Sequence, residues 1–336
     1  MANILFGKLG QQIVYDRNLP EAIRSNTNGN YESYNLLRML SSILRNVFVV
    51  EDNILISLEQ QKANGSIKLI TDFVPKIDYA FVLLGVSEQF ISKKLLNIIN
   101  SGIKWYALCS DPRCLNALTK YIINPPICVF AGAAGLECEI GGKKFITKYL
   151  NIEAANVYQE SLPRDLEYKH DCMVVIANQT PTWDRIKNIK EMTARIPKAK
   201  VVIYGRNSGE DLDERFRGER SLQFIYNSQL LSKVTYIAPI SPGWITAKYI
   251  ECIYRGVIPL VSPEYATLVP GFREDIINVD RDLLVETPDD VLNMYTKIVF
   301  YKKYYNETIN KLNEMVREKY GPRVLERNLI KLMQEE

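Results

Sequence analysis

Apolar runs of strand length recur along this sequence, and most are separated by stretches whose apolar residues fall at helical spacing. That alternation is the signature of parallel sheets covered by helices, because parallel strands need long crossovers and lie buried on both faces. In the first half the strand-like runs are NILF near residue 4, VFVV at 47, YAFVLLG at 79, WYALC at 105 and ICVF at 127. Between them, NYESYNLLRMLSSIL and SEQFISKKLLNIINSG carry apolar residues three and four apart, as helices do. LECEIGGKKFITKY differs: alternating residues flank Gly141 and Gly142, which predicts a β-hairpin.

The pattern breaks at YQESLPRDLEYKHD, residues 158 to 171, a polar stretch with Pro163 that reads as a linker. It then restarts with CMVVIAN at 172, KVVIYG at 200, LQFIY at 222, VTYIAP at 234, VIPLV at 257 and DIINV at 275. A chain of 336 residues is long enough for two such cores. Thr287, Pro288 and Asp290 predict a helix start, with the threonine as cap and proline in the first turn. The chain ends in helical stretches interrupted near Gly321 and Pro322.

Composition narrows the class. Hydrophobic residues make up 47% and charged residues 24%, the mix of an ordinary folded chain, and the net charge of +3 permits a nucleic-acid partner without demanding one. The six cysteines form no C-x-x-C pair and sit largely in apolar runs, so they read as reduced core thiols. One histidine, His170, makes no zinc site with them. The N-terminus has no signal pattern and no run approaches a bilayer span, so the expected location is cytoplasmic, without membrane association.

Two α/β domains facing one another leave a cleft at the carboxyl ends of their strands, where ligands bind. Neither half has a phosphate-binding P-loop or a complete G-x-G-x-x-G. FGKLGQ, residues 6 to 11, places Gly7 and Gly10 in a strand-to-loop turn; AGAAG at 131 to 135 reads as a small-residue turn. SPGWITAKYIECIYRGVIPLV, from 241, is more specific. A helix starting near Trp244 to Thr246 would offer free N–H groups to phosphate, with Lys248 beside them. Glu251, three residues on, could accept hydrogen bonds from both hydroxyls of a ribose. Gly256 ends the helix, and Pro259 suits a strand end or edge. The plainer alternative is a Lys248–Glu251 pair on a solvated helix face.

This segment resembles the nucleotide-sugar signature of GT-B glycosyltransferases, and the order of motifs along most of the chain resembles the DNA β-glucosyltransferase family of T-even bacteriophages. The resemblance implies an α/β fold of two Rossmann-like domains across a deep cleft. It divides the chain into 1-162 (acceptor, DNA), 163-318 (nucleotide sugar) and 319-336, a helix returning to the first domain. NILFGKLGQQIVYD resembles the family's first strand and loop, with Gly10 at the matching glycine. NYESYNLLRML puts Glu32 at an active-site carboxylate. WYALCSDPRCL puts Asp111 at the catalytic base, with Pro112 in place of the family's isoleucine and Arg113 at the arginine.

In the second half, VVIANQTPTWDRIK puts Arg185 at one of two family arginines that grip the diphosphate. The other position is Pro181, so that contact would come from Lys187 or Lys248. KVVIYGRN supplies Gly205, and FIYN brings Tyr226 and Asn227 past the uracil. TAKYIE resembles the family's Thr-x-Arg-x-x-Glu, with Thr246 and Glu251 retained and Lys248 replacing an arginine, a point charge instead of a planar fork.

The resemblance implies inverting transfer from a UDP-sugar to a 5-hydroxymethylpyrimidine, 5-hydroxymethylcytosine foremost, in double-stranded DNA. Arg113, Lys143, Lys144 and Lys148 would contact DNA phosphates. The donor sugar would be glucose or a relative such as arabinose. It implies no tightly bound cofactor and no metal required by the fold, with stimulation by a divalent ion left open, and a monomer in the infected cell's cytoplasm. The D-x-D at 280 to 282 reads as a turn. Two other functions fit the residues: a GT-B enzyme with a saccharide, lipid or small-molecule acceptor, and a non-catalytic nucleotide- or DNA-binding protein.

Overall fold

A computed structural model describes residues 2–15, 29–85, 90–110, 114–158, 170–177, 185–196, 199–204, 232–239 and 248–334, with some side chains at element ends left out. The chain divides into two compact units, one of Met1–Tyr158 with Pro322–Glu336 and one of Gln159–Gly321.

The first unit runs β1 (Ile4–Leu9), β2 (Ile13–Tyr15), α1 (Gly29–Ile43), β3 (Val47–Val50), β4 (Ile54–Ile56), α2 (Leu58–Ala63) and β5 (Ile67–Ile70). It continues with β6 (Tyr79–Leu84), α3 (Lys93–Asn100), β7 (Trp105–Cys109), α4 (Cys114–Ala117), β8 (Cys128–Ala131), β9 (Glu137–Ile140), β10 (Lys143–Ile146) and β11 (Lys148–Tyr149). Seven of these strands form one sheet, in the order β11-β8-β7-β6-β1-β3-β5, with every neighbouring pair parallel. Helices cover both faces of such a sheet, which is why its strands are apolar without alternation: Ile4, Leu5, Phe6, Phe81, Val82 and Trp105 are all buried.

From β1 the chain steps outward to β3 and β5, then returns to lay β6 on the other side of β1 and steps outward again. The reversal between β1 and β6 is the topological switch point, beside which ligands of such sheets bind. Right-handed crossovers put α1 and α3 on opposite faces. Accordingly, a Cβ on Gly7 would stand 2.7 Å from Leu95 of α3, and Lys8, next along the strand, points to the other face. The hairpin β9–β10 turns through Gly141 (φ 62°) and Gly142 (φ 74°), as its sequence predicts.

The second unit runs β12 (His170–Ala177), α5 (Arg185–Thr193), β13 (Ala199–Tyr204), β14 (Ser232–Ile237), α6 (Lys248–Tyr254), β15 (Ile258–Val261), α7 (Pro263–Leu268), α8 (Phe272–Asp280), α9 (Pro288–Phe300) and α10 (Lys302–Met315). Its sheet has the order β13-β12-β14-β15, again all parallel, and Pro259 lies in the strand that ends the described sheet. Thr287 caps α9 through a reciprocal box with Asp290, and Pro288 opens the helix. Beyond a π-helical turn, Val316–Tyr320, α11 (Pro322–Leu332) belongs to the first unit, where the Tyr106 hydroxyl donates to the Leu332 carbonyl at 3.2 Å.

One expected strand is corrected. The run at 275 is part of α8, because Phe272, Asp275 and Ile276 form a buried helical face and Gly271 (φ 75°) turns the chain into it. Short apolar runs do not distinguish strand from helix by period alone. The expected strand at 222 lies outside the described residues.

Candidate functional site

The register of the first sheet aligns Leu9 with Leu84, Leu84 with Cys109 and Cys109 with Ala131. One step beyond that row the chain has Gly10, Gly85, Ser110 and Gly132. Four adjacent strands spanning the switch point therefore end on residues with little or no side chain. At Gly85 glycine is required by contact, and at Gly132 a side chain would displace Glu153. A Cβ on Gly85 would stand 2.4 Å from the Leu9 carbonyl oxygen, and one on Gly132 would stand 2.6 Å from a carboxylate oxygen of Glu153. Gly10 has φ 95°, and its carbonyl accepts a hydrogen bond from the Phe90 N–H at 3.3 Å. This low floor lets a ligand approach the backbone closely. Gly10 was visible in the sequence; the other positions join it only through strand register.

Asp111 follows Ser110 in the chain, and both Asp111 and Arg113 lie outside the described residues. Glu32 belongs to the first turn of α1, with its side chain outside the description. Two buried charges in this unit escaped the sequence reading. Lys8 is 1% exposed and donates to Gln11 Oε1 at 3.0 Å. Glu153 is 2% exposed on a 3-10 segment, Ile152–Val157, that packs on α1. In both cases the only signal was a charge inside an otherwise apolar run.

In the second unit α6 is largely buried: Tyr249, Ile250, Cys252 and Ile253 are all inaccessible. Glu251 is buried with them, and its Oε2 lies 3.7 Å from Nη1 of the equally buried Arg255, one turn on. The alternative of a solvated helix face for Glu251 is thereby corrected. The helix ends as its glycine predicts, with the Val257 N–H donating to Cys252 and the Gly256 N–H donating to Ile253, Gly256 having φ 74°. Tyr249 packs on Phe272 and Tyr320, with ring centroids 4.8 and 6.0 Å away, and the Tyr320 hydroxyl donates to Asp275 at 2.7 Å. Glu251 therefore stands on a helix locked by its surroundings.

Lys248 is the first described residue of α6 and Arg185 the first of α5, both with side chains outside the description; Pro181, Gly205, Tyr226, Asn227 and Thr246 lie outside it altogether. Burial, with the nearby Glu264 carboxylate, pushes the Tyr236 phenol up to about 12, so it stays a donor, and its hydroxyl meets Asn188 Oδ1 at 3.1 Å, tying α5 to β14.

No family model matches the sequence, and no curated protein matches it. Solved structures do. T4 phage BGT in complex with UDP and Mn2+ matches with a TM-score of 0.65 and 13% identity, over 99% of this chain and 100% of that one. A mutant of the same phage protein in complex with UDP-glucose matches at 0.65 and 14%, over 98% and 99%. Anabaena HepE in complex with UDP-glucose gives 0.56 and 10%, over all of both chains. The chain has the GT-B fold.

Its two parallel sheets are the two Rossmann-like halves of that fold. The GT-B chain's D-x-D, Asp280 to Asp282, is a capped turn: Asp280 accepts the Asp282 N–H at 2.9 Å, the Tyr304 hydroxyl at 2.5 Å and Lys297 at 3.4 Å. Burial raises the Asp280 carboxyl, but the Tyr304 hydrogen bond, with the Asp282 N–H and Lys297, outweighs it and holds the group below the usual range. Among the described residues no group of three His, Cys, Asp or Glu side chains is placed to hold a metal ion, and no helix is long and apolar enough to cross a membrane. Lys143, Lys144 and Lys148 are exposed. Lys144 stands opposite Glu139 in the hairpin, and the Lys143 ammonium lies 5.3 Å from the Phe145 ring centroid. That surface carries both signs of charge.

Proposed function

We propose that this chain is an inverting glycosyltransferase that moves a sugar from a UDP-sugar to the hydroxyl of a 5-hydroxymethylpyrimidine, 5-hydroxymethylcytosine foremost, in double-stranded phage DNA. The observation that carries the reading is the whole-length likeness to T4 phage BGT, in complexes named for UDP-glucose and for UDP with Mn2+. The burial of Glu251 supports it, because a carboxylate removed from water on a rigid helix is suited to accept two ribose hydroxyls.

In this reading Asp111 takes the proton from the acceptor hydroxyl as its oxygen attacks the anomeric carbon, opposite the diphosphate. The bond from that carbon to the diphosphate oxygen breaks, and UDP leaves with the electron pair. Arg185, Lys248 and Lys187 balance the charge on the departing diphosphate, with Gly10, Gly205, Tyr226, Asn227 and Thr246 lining the donor. Glu32 orients the sugar or the acceptor hydroxyl. A base inside a duplex must leave the stack to react, while Arg113, Lys143, Lys144 and Lys148 hold phosphates. The first 162 residues serve the DNA, 163-318 serve the donor, and 319-336 return to the first part. No tightly bound cofactor is part of this reading, no metal is required by the fold, and stimulation by a divalent ion is left to the assay.

The test is UDP release from a panel of UDP-sugars mixed with duplexes containing cytosine, hydroxymethylcytosine or hydroxymethyluracil, with mass spectrometry of the digested DNA. A sugar-sized mass increase on one modified base is expected, with or without added Mn2+. UDP release with every duplex unmodified would move the acceptor elsewhere. The mixed charge of the β9–β10 hairpin favours that second reading, a GT-B enzyme with a saccharide or small-molecule acceptor. Duplex binding that weakens steeply with salt would argue against it.

A further inference from the structure

Arg255 is a buried charge to which the mechanism above gives no role. It directly follows α6, one turn beyond Glu251, and the two residues are 2% and 4% exposed. Side chains on a helix lean toward its N-terminus, so the arginine stem runs back along α6 and brings Nη1 to 3.7 Å from Glu251 Oε2. The guanidinium carries five N–H donors, so holding this carboxylate leaves others for further partners.

The turn that carries Arg255 is pinned. Its own N–H donates to the Cys252 carbonyl at 3.0 Å, the Val257 N–H donates to the same carbonyl at 2.9 Å, and the Tyr305 hydroxyl of α10 donates to the Gly256 carbonyl at 2.6 Å. With Tyr249 packed on Phe272 and Tyr320, both ends of α6 are held, and the guanidinium has a fixed origin beside Glu251. Two charges kept out of water usually cost as much as a well-packed apolar pair, or more. Their retention at the residue read as the ribose contact points to function more than to stability.

Neighbouring hydroxyls of a ribose offer two donors, and one carboxylate accepts both only when it is turned to face them. A DNA strand has no 2′-hydroxyl. A site that demands both hydroxyls therefore takes the donor nucleotide and refuses the sugars of a DNA acceptor. We propose that Arg255 is the positioning residue for Glu251: its guanidinium turns and holds the carboxylate toward both ribose hydroxyls, which makes the donor site selective for a ribonucleoside diphosphate over its 2′-deoxy counterpart. This rests on the reading of Glu251 as the ribose contact.

The experiment titrates wild type, Glu251→Ala, Arg255→Met and Arg255→Lys with UDP and with 2′-deoxy-UDP by calorimetry, beside urea unfolding. The ratio of the two affinities, read on one preparation, is independent of the fraction folded, so a purely structural role would not move it. Wild type is expected to bind UDP at least about tenfold more tightly than 2′-deoxy-UDP, and Glu251→Ala to bring the two within about twofold. Arg255→Met should lose most of the preference, and Arg255→Lys should fall between, because an ammonium lacks the planar fork.

An Arg255→Met protein that loses stability but keeps the wild-type ratio would overturn the proposal in favour of a structural role. Should Arg255→Met not fold, Arg255→Lys decides, since a wild-type ratio there would also overturn it. A wild type that binds both nucleotides equally, or neither, removes the ribose reading of Glu251 and this proposal with it, whereas a preference abolished by Glu251→Ala alone removes only the role of Arg255.

Discussion

Lys8 in the first unit and Glu251 in the second are removed from water almost equally, at 1% and 4% exposed, yet they are accommodated differently. Glu251 has the Arg255 guanidinium at 3.7 Å on its own helix, and Lys8 reaches the Gln11 amide at 3.0 Å on the loop that leaves its strand. The first arrangement brings an opposite charge within one turn of a buried helix. The second ties a charge to loop geometry. One unit carries a fixed carboxylate; the other carries a fixed loop.

The sharpest way to break that division of labour is to remove one group from each side. Asp111→Asn should lower transfer about 10²- to 10⁴-fold while UDP affinity stays nearly unchanged. Glu251→Ala should do the converse, weakening UDP binding by about 1–3 kcal/mol in calorimetric titration. Full activity in Asp111→Asn would remove the base, and unchanged donor affinity in Glu251→Ala would remove the ribose contact. Next in size is Arg255→Met, which removes the opposite charge 3.7 Å from a buried carboxylate and should cost about 3–5 kcal/mol in urea unfolding. Replacing both members, as Glu251→Met with Arg255→Met, should recover most of that loss; a double variant as unstable as the single one would mean the pair does not explain Arg255's burial.

Much of the fold was legible because its devices are local. Parallel strands announce themselves as unbroken apolar runs, the Gly141–Gly142 turn needs positive φ at both positions, and Thr287, Pro288 and Asp290 form a cap within one turn of chain. The run at 275 was misread because its helical face is set by what Phe272 and Ile276 pack against, which no short window contains. The site divides the same way. Gly10 and Glu251 carry motif-level signals. Gly85 and Gly132 matter only through register, and Lys8, Glu153 and Arg255 only through burial, which depends on distant parts of the chain.

Gly85 and Gly132 offer a finer comparison within the first unit. An alanine at Gly85 would meet the Leu9 carbonyl at 2.4 Å, backbone against backbone, with nothing free to rotate away. Gly85→Ala should therefore destabilise by about 1–3 kcal/mol, the range for overpacking. At Gly132 the obstacle at 2.6 Å is the end of the Glu153 side chain, which can turn aside. Gly132→Ala should cost less. Equal losses of stability would mean that the first sheet's edge yields as easily as a side chain.

The smallest expected effect tests the second unit far from its buried pair. The Thr287 side chain, the largest influence, and the N–H groups of Glu286 and Thr287 hold the Asp290 carboxyl below the usual range. A carboxyl depressed in the folded state stabilises above its unfolded value, about 3.9, and that contribution is lost as pH falls through the lower folded value. Thr287→Ala should cost about 1 kcal/mol at neutral pH, the usual loss for a cap. The gap from wild type should narrow as the pH falls from about 3.9 through the lower folded value and Asp290 becomes protonated. Unfolding curves at pH 7 and in strong acid give the two values. A gap of constant size would mean that the hydroxyl caps α9 without help from the carboxylate, and that the reciprocal box adds nothing beyond its threonine.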